Sequence, residues 1–329
     1  MQKQRINWID SVKCIAATIV FFTHFIASYR SDMGVFWNTK PYMYVLSWIT
    51  GKTGVVFFSI ILGMMAYKAG KRQSTSFAVY SIKRYVYFVC CAIFVNIVQT
   101  IYMMCAIHAD NSIIHILTSS LLLKDDIWPT FWCMKFFLAG SLISFVNGSF
   151  EFGVKECIIE IVVLILLGQT WIAICVMGSA YDGLLSMTTK VLSKFPIRMM
   201  LWAGCFALSP TTESDIGFLI KGILALVVLL LIENGNIKAL LNNPISAFVG
   251  RNCMAFYLIH GITYLTMSNI IFKRFDVKNT AAFWAGGLFI YIVIVLLSVP
   301  VGYIINKMAD AVWSILPRTE KEKNEDTKR

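Results

Sequence analysis

Apolar residues in this chain come in blocks about as long as a membrane is thick, and that limits what it can fold into. A helix needs about 20 apolar residues to cross a hydrocarbon core of about 30 Å. Candidate blocks stand at Trp8–Ser28, Tyr44–Tyr67, Tyr85–Cys105, Thr130–Val146, Cys157–Leu167, Thr170–Ala180, Ile197–Leu208, Ile216–Ile232, Cys253–Phe272 and Ala281–Ile305. Lipid offers backbone amides no partner, so only helices or closed barrels can span it. Barrel strands would alternate over about 10 residues, and these blocks are longer and uniformly apolar. The expected fold is therefore an all-α polytopic transmembrane helical bundle of about ten spans. The fifth to seventh blocks are short or interrupted by Gly and Pro, which makes eight to ten the range. Charged residues are only 14% of the chain, against about a quarter in soluble domains. Residues 1–316 read as one transmembrane domain and 317–329 as a charged cytoplasmic tail, expected to be disordered. No internal repeat is visible. The first block has no A-x-A-like cleavage site and reads as a retained helix.

Charge sets the orientation. With the N-terminus inside and the spans alternating, nineteen Lys and Arg fall on the inside and six outside. Cytoplasmic loops collect such residues, so both termini are expected in the cytoplasm and the Asp110–Trp128 loop outside. The same bias accounts for the net charge of +11 without a nucleic-acid partner. The nine cysteines show no C-x-x-C spacing and nearly all fall in apolar blocks. They read as small buried hydrophobes, with no metal site implied.

Polar residues at membrane depth carry the information about function, because burial there is costly. The first block, WIDSVKCIAATIVFFTHFIAS, holds Asp10, Lys13 and His24. Lys13 and His24 are eleven residues apart, which puts them on one helix face about 16 Å apart along the axis. Read alone, Lys13 is equally a snorkelling interface residue and His24 a histidine bonded to a neighbouring helix. Lys52, Lys135 and Lys221 are expected to snorkel at the outer ends of their spans. Asn96 and Gln99 read as glue between helices. His260 alone is more often structural than catalytic. No P-loop, HExxH, G-x-S-x-G or dinucleotide fingerprint is present.

These residues resemble a known family. DSVKCIAATIVFFTHF looks like the first helix of the membrane acyltransferase-3 family, with its basic residue and a closing His-Phe. GKTGVVFFSIILGMMAYK, WPTFWCMKFFLAGSLISF, ICVMGSA and NPISAFVGRNCMAFYLIH resemble later stretches of the same family, in order. The likeness covers Trp8 to about Ile305. Three positions depart from the common pattern. Lys13 stands where many members have Arg. Tyr87 stands where a second Arg is common after Arg84, and Phe137 where an acidic residue often follows the Trp motif.

The resemblance implies an integral membrane acyltransferase. It would move an acyl group, commonly acetyl, from cytoplasmic acyl-CoA to a hydroxyl of a sugar or a cell-surface polysaccharide precursor. Acetyl-CoA would be a co-substrate and no cofactor would stay bound. The partners implied are acyl-CoA, a carbohydrate or lipid-linked acceptor and the bilayer of the plasma membrane. His24 becomes the candidate catalytic residue, Lys13 and Arg84 the donor-binding residues, and Trp132, Tyr257 and His260 candidates for an acceptor or structural site. Phosphate recognition suits basic side chains, and a neutral imidazole suits a hydroxyl that needs a base. A multi-span small-molecule or proton-coupled transporter, and a scaffold without catalysis, stay open at this point.

Overall fold

A computed structural model of the chain describes residues 7–29, 52–73, 75–106, 113–122, 132–208, 214–261, 263 and 280–315. Every regular element among them is helical. α1 covers Asn7–Tyr29, α2 Thr53–Lys71, α3 Phe77–Ala106 and α4 Ile113–Ser120. α5 is Cys133–Ser149, α6 Val154–Leu166 and α7 Thr170–Met177; a 3-10 turn at Gly178–Ala180 joins α7 to α8, Tyr181–Leu192. α9 is Phe195–Ala207, α10 Asp215–Glu233, α11 Ile237–Leu241 and α12 Pro244–Arg251. Residues 253–261 form α13, and α14 is Thr280–Ile315.

Helices occupy every apolar block. Six segments among the described residues are long and apolar enough to cross a membrane: Asn7–Phe25, Thr53–Lys71, Phe77–Val98, Thr170–Leu192, Asp215–Glu233 and Trp284–Ile315. The chain is a multi-pass helical membrane protein. The remaining blocks hold shorter helices: α5 has 17 residues, and α6 and α9 have 13 each. The rest of the ninth predicted span lies outside the described residues, as do the start of the second, part of the Asp110–Trp128 loop and the tail 317–329. The sixth predicted span needs a new boundary. It does not stop at Ala180 but runs on to Leu192, because the helix tightens through Gly178–Ala180 without breaking.

Without water to drive helices together, close packing holds them, and small residues permit it. Gly63 of α2 meets the Cys175 carbonyl, and Gly178 meets the Ile60 carbonyl. A Cβ at either position would run into backbone, so α2 and α7 are in direct contact. Gly70 and Gly148 do the same for α2 and α5. The family-like Gly-Met-Met and Cys-x-x-Gly stretches, and the Asn147-Gly148 step, are thus contact faces. α1 runs between two apolar clusters. Trp8, Ile9, Val12 and Ala16 join one with α2 and α10, and Phe21 and Phe25 join the other with α3, α13 and α14.

Candidate functional site

At the start of α1 a short helix is docked with little clearance. Asn243 caps α12, its side chain accepting from the Ile245 amide at 2.8 Å, and Pro244 opens the first turn, as fits a helix N-terminus. Ser246 shares a 2.8 Å hydroxyl bond with Ser11 of α1. Gly250 lies against the Asp10 carbonyl, where a Cβ could not fit. The next residue, Arg251, is thereby placed beside Lys13. Across from them Arg84 projects from α3. Its Nε donates to the Tyr80 hydroxyl at 3.1 Å, and its guanidinium lies 5.5 Å from the centre of that ring. Tyr80 is stacked in turn on Phe145, 4.1 Å between centroids.

Lys13, Arg84 and Arg251 line one cavity of about 290 Å³, with Tyr87, Phe137, Cys253 and Tyr257 among its walls. Lys13 Nζ lies 2.8 Å from Asp10 Oδ1. No carboxylate pairs with Arg84 or Arg251 among the described residues, so the cavity keeps positive charge. Such a charge, in walls partly apolar, attracts an anion and holds it through charge-assisted bonds. The structure thus brings together Lys13 and Arg84, which the sequence placed on one membrane face. It adds Arg251, which the sequence showed only as one more inside charge. It also puts Tyr87 and Phe137, like Lys13 departures from the common family pattern, in the same wall.

His24 does not line that cavity. It lies further along α1, its ring 5.1 Å from the ring of His260. His24 is exposed, while His260 is fully buried. The His260 Nδ1 lies 2.5 Å from the Tyr257 carbonyl oxygen, and its Nε2 has no hydrogen-bond partner among the described residues. Tyr257 joins the two regions. It lines the cationic cavity, its ring is 5.4 Å from His260, and its hydroxyl bonds Cys133 Sγ at 3.1 Å. Of the three candidate acceptor-site residues, Tyr257 and His260 are therefore neighbours on α13. Trp132, next to Cys133, packs against the cluster that holds Tyr257 and lies edge-on to Trp171 at 4.7 Å with Lys52 Nζ 4.8 Å over its ring.

The other polar residues sort as follows. Asn96 donates to Ser119 Oγ at 3.0 Å and Ser120 Oγ at 2.9 Å, holding α4 to α3 as glue. Gln99's side chain lies outside the described set. Lys52 covers aromatic rings at the head of α2, with Phe218 also beneath it at 5.2 Å. Lys221 is not a snorkelling residue: it is only 3% exposed. Among the described residues no group of three or more His, Cys, Asp or Glu could hold a metal ion.

The described residues thus form a multi-pass helical bundle with a cationic cavity at one end of its first helix and a histidine pair toward the other. The chain belongs to the acyltransferase-3 family, whose model, an acyltransferase domain, matches residues 6–306. No curated protein and no solved structure matches it.

Proposed function

We propose that the chain moves an acetyl group from cytoplasmic acetyl-CoA to a hydroxyl of a sugar or cell-surface polysaccharide precursor, working from the plasma membrane. One observation carries this reading. The cavity lined by Lys13, Arg84 and Arg251 shares Tyr257 with the histidine pair, so an anion site and a base lie along one path. With ten spans and both termini inside, that cavity faces the cytoplasm, where the donor is made. The three cations take the phosphates of coenzyme A. The cavity is smaller than the whole donor, so the adenosine part stays outside it. Lys13 and His24 stand about 16 Å apart along the helix, a length comparable with the extended pantetheine arm. The thioester then lies past Tyr257, beside His24. The acceptor oxygen attacks the thioester carbon as His24 takes its proton; the C–S bond breaks and that proton passes to the departing thiolate.

Purified protein given acetyl-CoA labelled in the acetyl group tests this directly. Release of free coenzyme A thiol with label moved to a carbohydrate acceptor is expected. Binding without any turnover, whatever sugar or glycan extract is supplied, would overturn it. Comparing surface glycans of deletion and parent strains then identifies the acceptor. The orientation has its own check. A cysteine placed at Asp110 should react with an impermeant reagent on intact cells, and labelling only after permeabilisation would reverse the topology. Transport by the same bundle is the weaker reading, since the family's chemistry is acyl transfer.

A further inference from the structure

His260 carries an atom that the proposed reaction has not used. A carbonyl oxygen can only accept, so the 2.5 Å contact with Tyr257 puts the hydrogen on Nδ1. In the neutral ring that leaves Nε2 as a bare lone pair. This nitrogen is fully enclosed and has no donor among the described residues. Buried acceptors are rarely left so, because the loss of water is not offset. Two titratable side chains pack against the ring: His24, 5.1 Å away centre to centre with the planes 40° apart, and Tyr257 at 5.4 Å, whose hydroxyl is engaged with Cys133. Phe256 stacks on the ring of His260, 6.4 Å away and nearly parallel, and helps hold its plane. His260 is thus fixed at Nδ1 and braced by an aromatic ring. It is unsatisfied only at Nε2.

We propose that His260 is a positioning residue that sets the tautomer of His24. When His24 turns its ring N–H onto His260 Nε2, its other nitrogen is left bare and becomes the base. His260 Nε2 has no bond to His24 in this structure, so the pairing needs a rotation of the exposed His24 ring. In the transfer step the acceptor hydroxyl gives its proton to the bare nitrogen of His24 while its oxygen bonds the thioester carbon. The resulting imidazolium donates one N–H to His260 Nε2 and returns the other proton to the coenzyme A sulfur as the C–S bond breaks. His260 gains and loses no proton. This rests on the acyl-transfer reading above, in the way an orienting group supports the base in nucleophilic hydrolases.

Two amide substitutions separate this role from packing. His260→Asn places its amide near Nδ1 and keeps the bond to the Tyr257 carbonyl, with nothing at Nε2. His260→Gln places an acceptor oxygen near Nε2. A purely structural histidine would tolerate Asn better than Gln, and a positioning histidine the reverse. In purified full-length protein, His260→Asn should lower transfer by at least about tenfold, out of the roughly 10²–10⁴ a positioned base supplies. His260→Gln should stay within about threefold of the parent on the same scale, with acetyl-CoA affinity unchanged in both. Nitrogen-15 NMR of histidine-labelled protein gives a readout that needs no turnover. His24 should show one tautomer in the parent and in His260→Gln, and a mixture in His260→Asn. Asn performing as well as Gln or better, or an unchanged His24 tautomer in His260→Asn, would overturn the proposal. If the parent itself transferred nothing from acetyl-CoA, the acyl-transfer reading would fail, while the NMR comparison would still decide whether the two histidines are paired.

Discussion

Two polar chambers open near the start of α1, and they differ in how their charges are met. The larger, about 670 Å³, is lined by Asn7, Lys68, Tyr181, Glu233, Lys238 and Asn242, among others. Each of its lysines has a carboxylate: Lys68 Nζ is 3.1 Å from Asp182 and Lys238 Nζ 2.5 Å from Glu233. The smaller chamber holds Lys13, Arg84 and Arg251, and among the described residues only Lys13 meets an acid. An anion entering the larger chamber would have to break an existing pair, whereas in the smaller one it supplies the missing partner. On the proposed reading, uncompensated charge, and not volume, would mark the donor site. The smaller chamber is also the one that Tyr257 connects to the histidines.

The comparison is most sharply tested at His24. If the smaller chamber binds donor and the histidine does the chemistry, the two functions should separate. His24→Ala should lower acetyl transfer by roughly 10²–10⁴ while acetyl-CoA affinity, measured by calorimetry on the purified protein, stays at the parental level. Near-parental turnover at equal protein levels would remove His24 from the mechanism.

Next in size are the arginines. A charge-assisted bond is worth about 1.5–3 kcal/mol, so Arg84→Ala and Arg251→Ala should each weaken acetyl-CoA binding by about 10- to 150-fold. Lys13→Ala should cost less, because Asp10 already shares its charge. Donor affinity should also fall as salt rises, since the chamber is open to solvent. Unchanged affinity in both arginine variants would move the donor site elsewhere.

Much of this was legible in the sequence. Helices had to form wherever apolar blocks met lipid, and their positions followed. The pairing of Lys13 with Arg84 was legible because both flank apolar blocks on one predicted membrane face. What stayed hidden depends on contacts between distant segments. Lys68 and Arg84 belong to one basic stretch in the chain, yet helix packing sends Lys68 to Asp182 and Arg84 to a different chamber. Arg251 looked like any positive-inside charge until Gly250 brought α12 against Asp10. The sequence signal was present in the Gly-Arg step, but its meaning lay in a contact across 240 positions. The meeting of His24 with His260 was hidden for the same reason. Tyr87 and Phe137 become intelligible together. A base at one position and an acid at the other would offset each other in the same wall, so their joint replacement leaves the chamber's net charge as it was.

Gly250 offers a test of that placement. An added methyl would meet the Asp10 backbone, which cannot yield as a side-chain tip can. Overpacking of this kind costs about 1–3 kcal/mol, and it would push α12 and Arg251 away from Lys13. Gly250→Ala should therefore reduce both thermal stability and donor affinity. A loss of stability with donor affinity intact would show that Arg251 does not reach the donor.

The smallest effects are expected in the larger chamber, and they complete the contrast. Lys238 is 43% exposed and its partner Glu233 23%, so solvent screens much of their attraction. Exposed pairs of this kind contribute about 0–1 kcal/mol. Lys238→Met should then change stability by no more than about that amount and leave acetyl-CoA affinity and turnover untouched. Lys68→Met should cost somewhat more stability, because its side chain is less exposed, at 23%, and its ammonium also lies 5.6 Å over the Tyr181 ring. It too should spare donor binding. Thermal denaturation and calorimetry on the two variants, beside Arg84→Ala, give the comparison. If either lysine variant lost donor affinity on the scale of the arginine, paired charge would not disqualify a chamber, and the donor would have to bridge both.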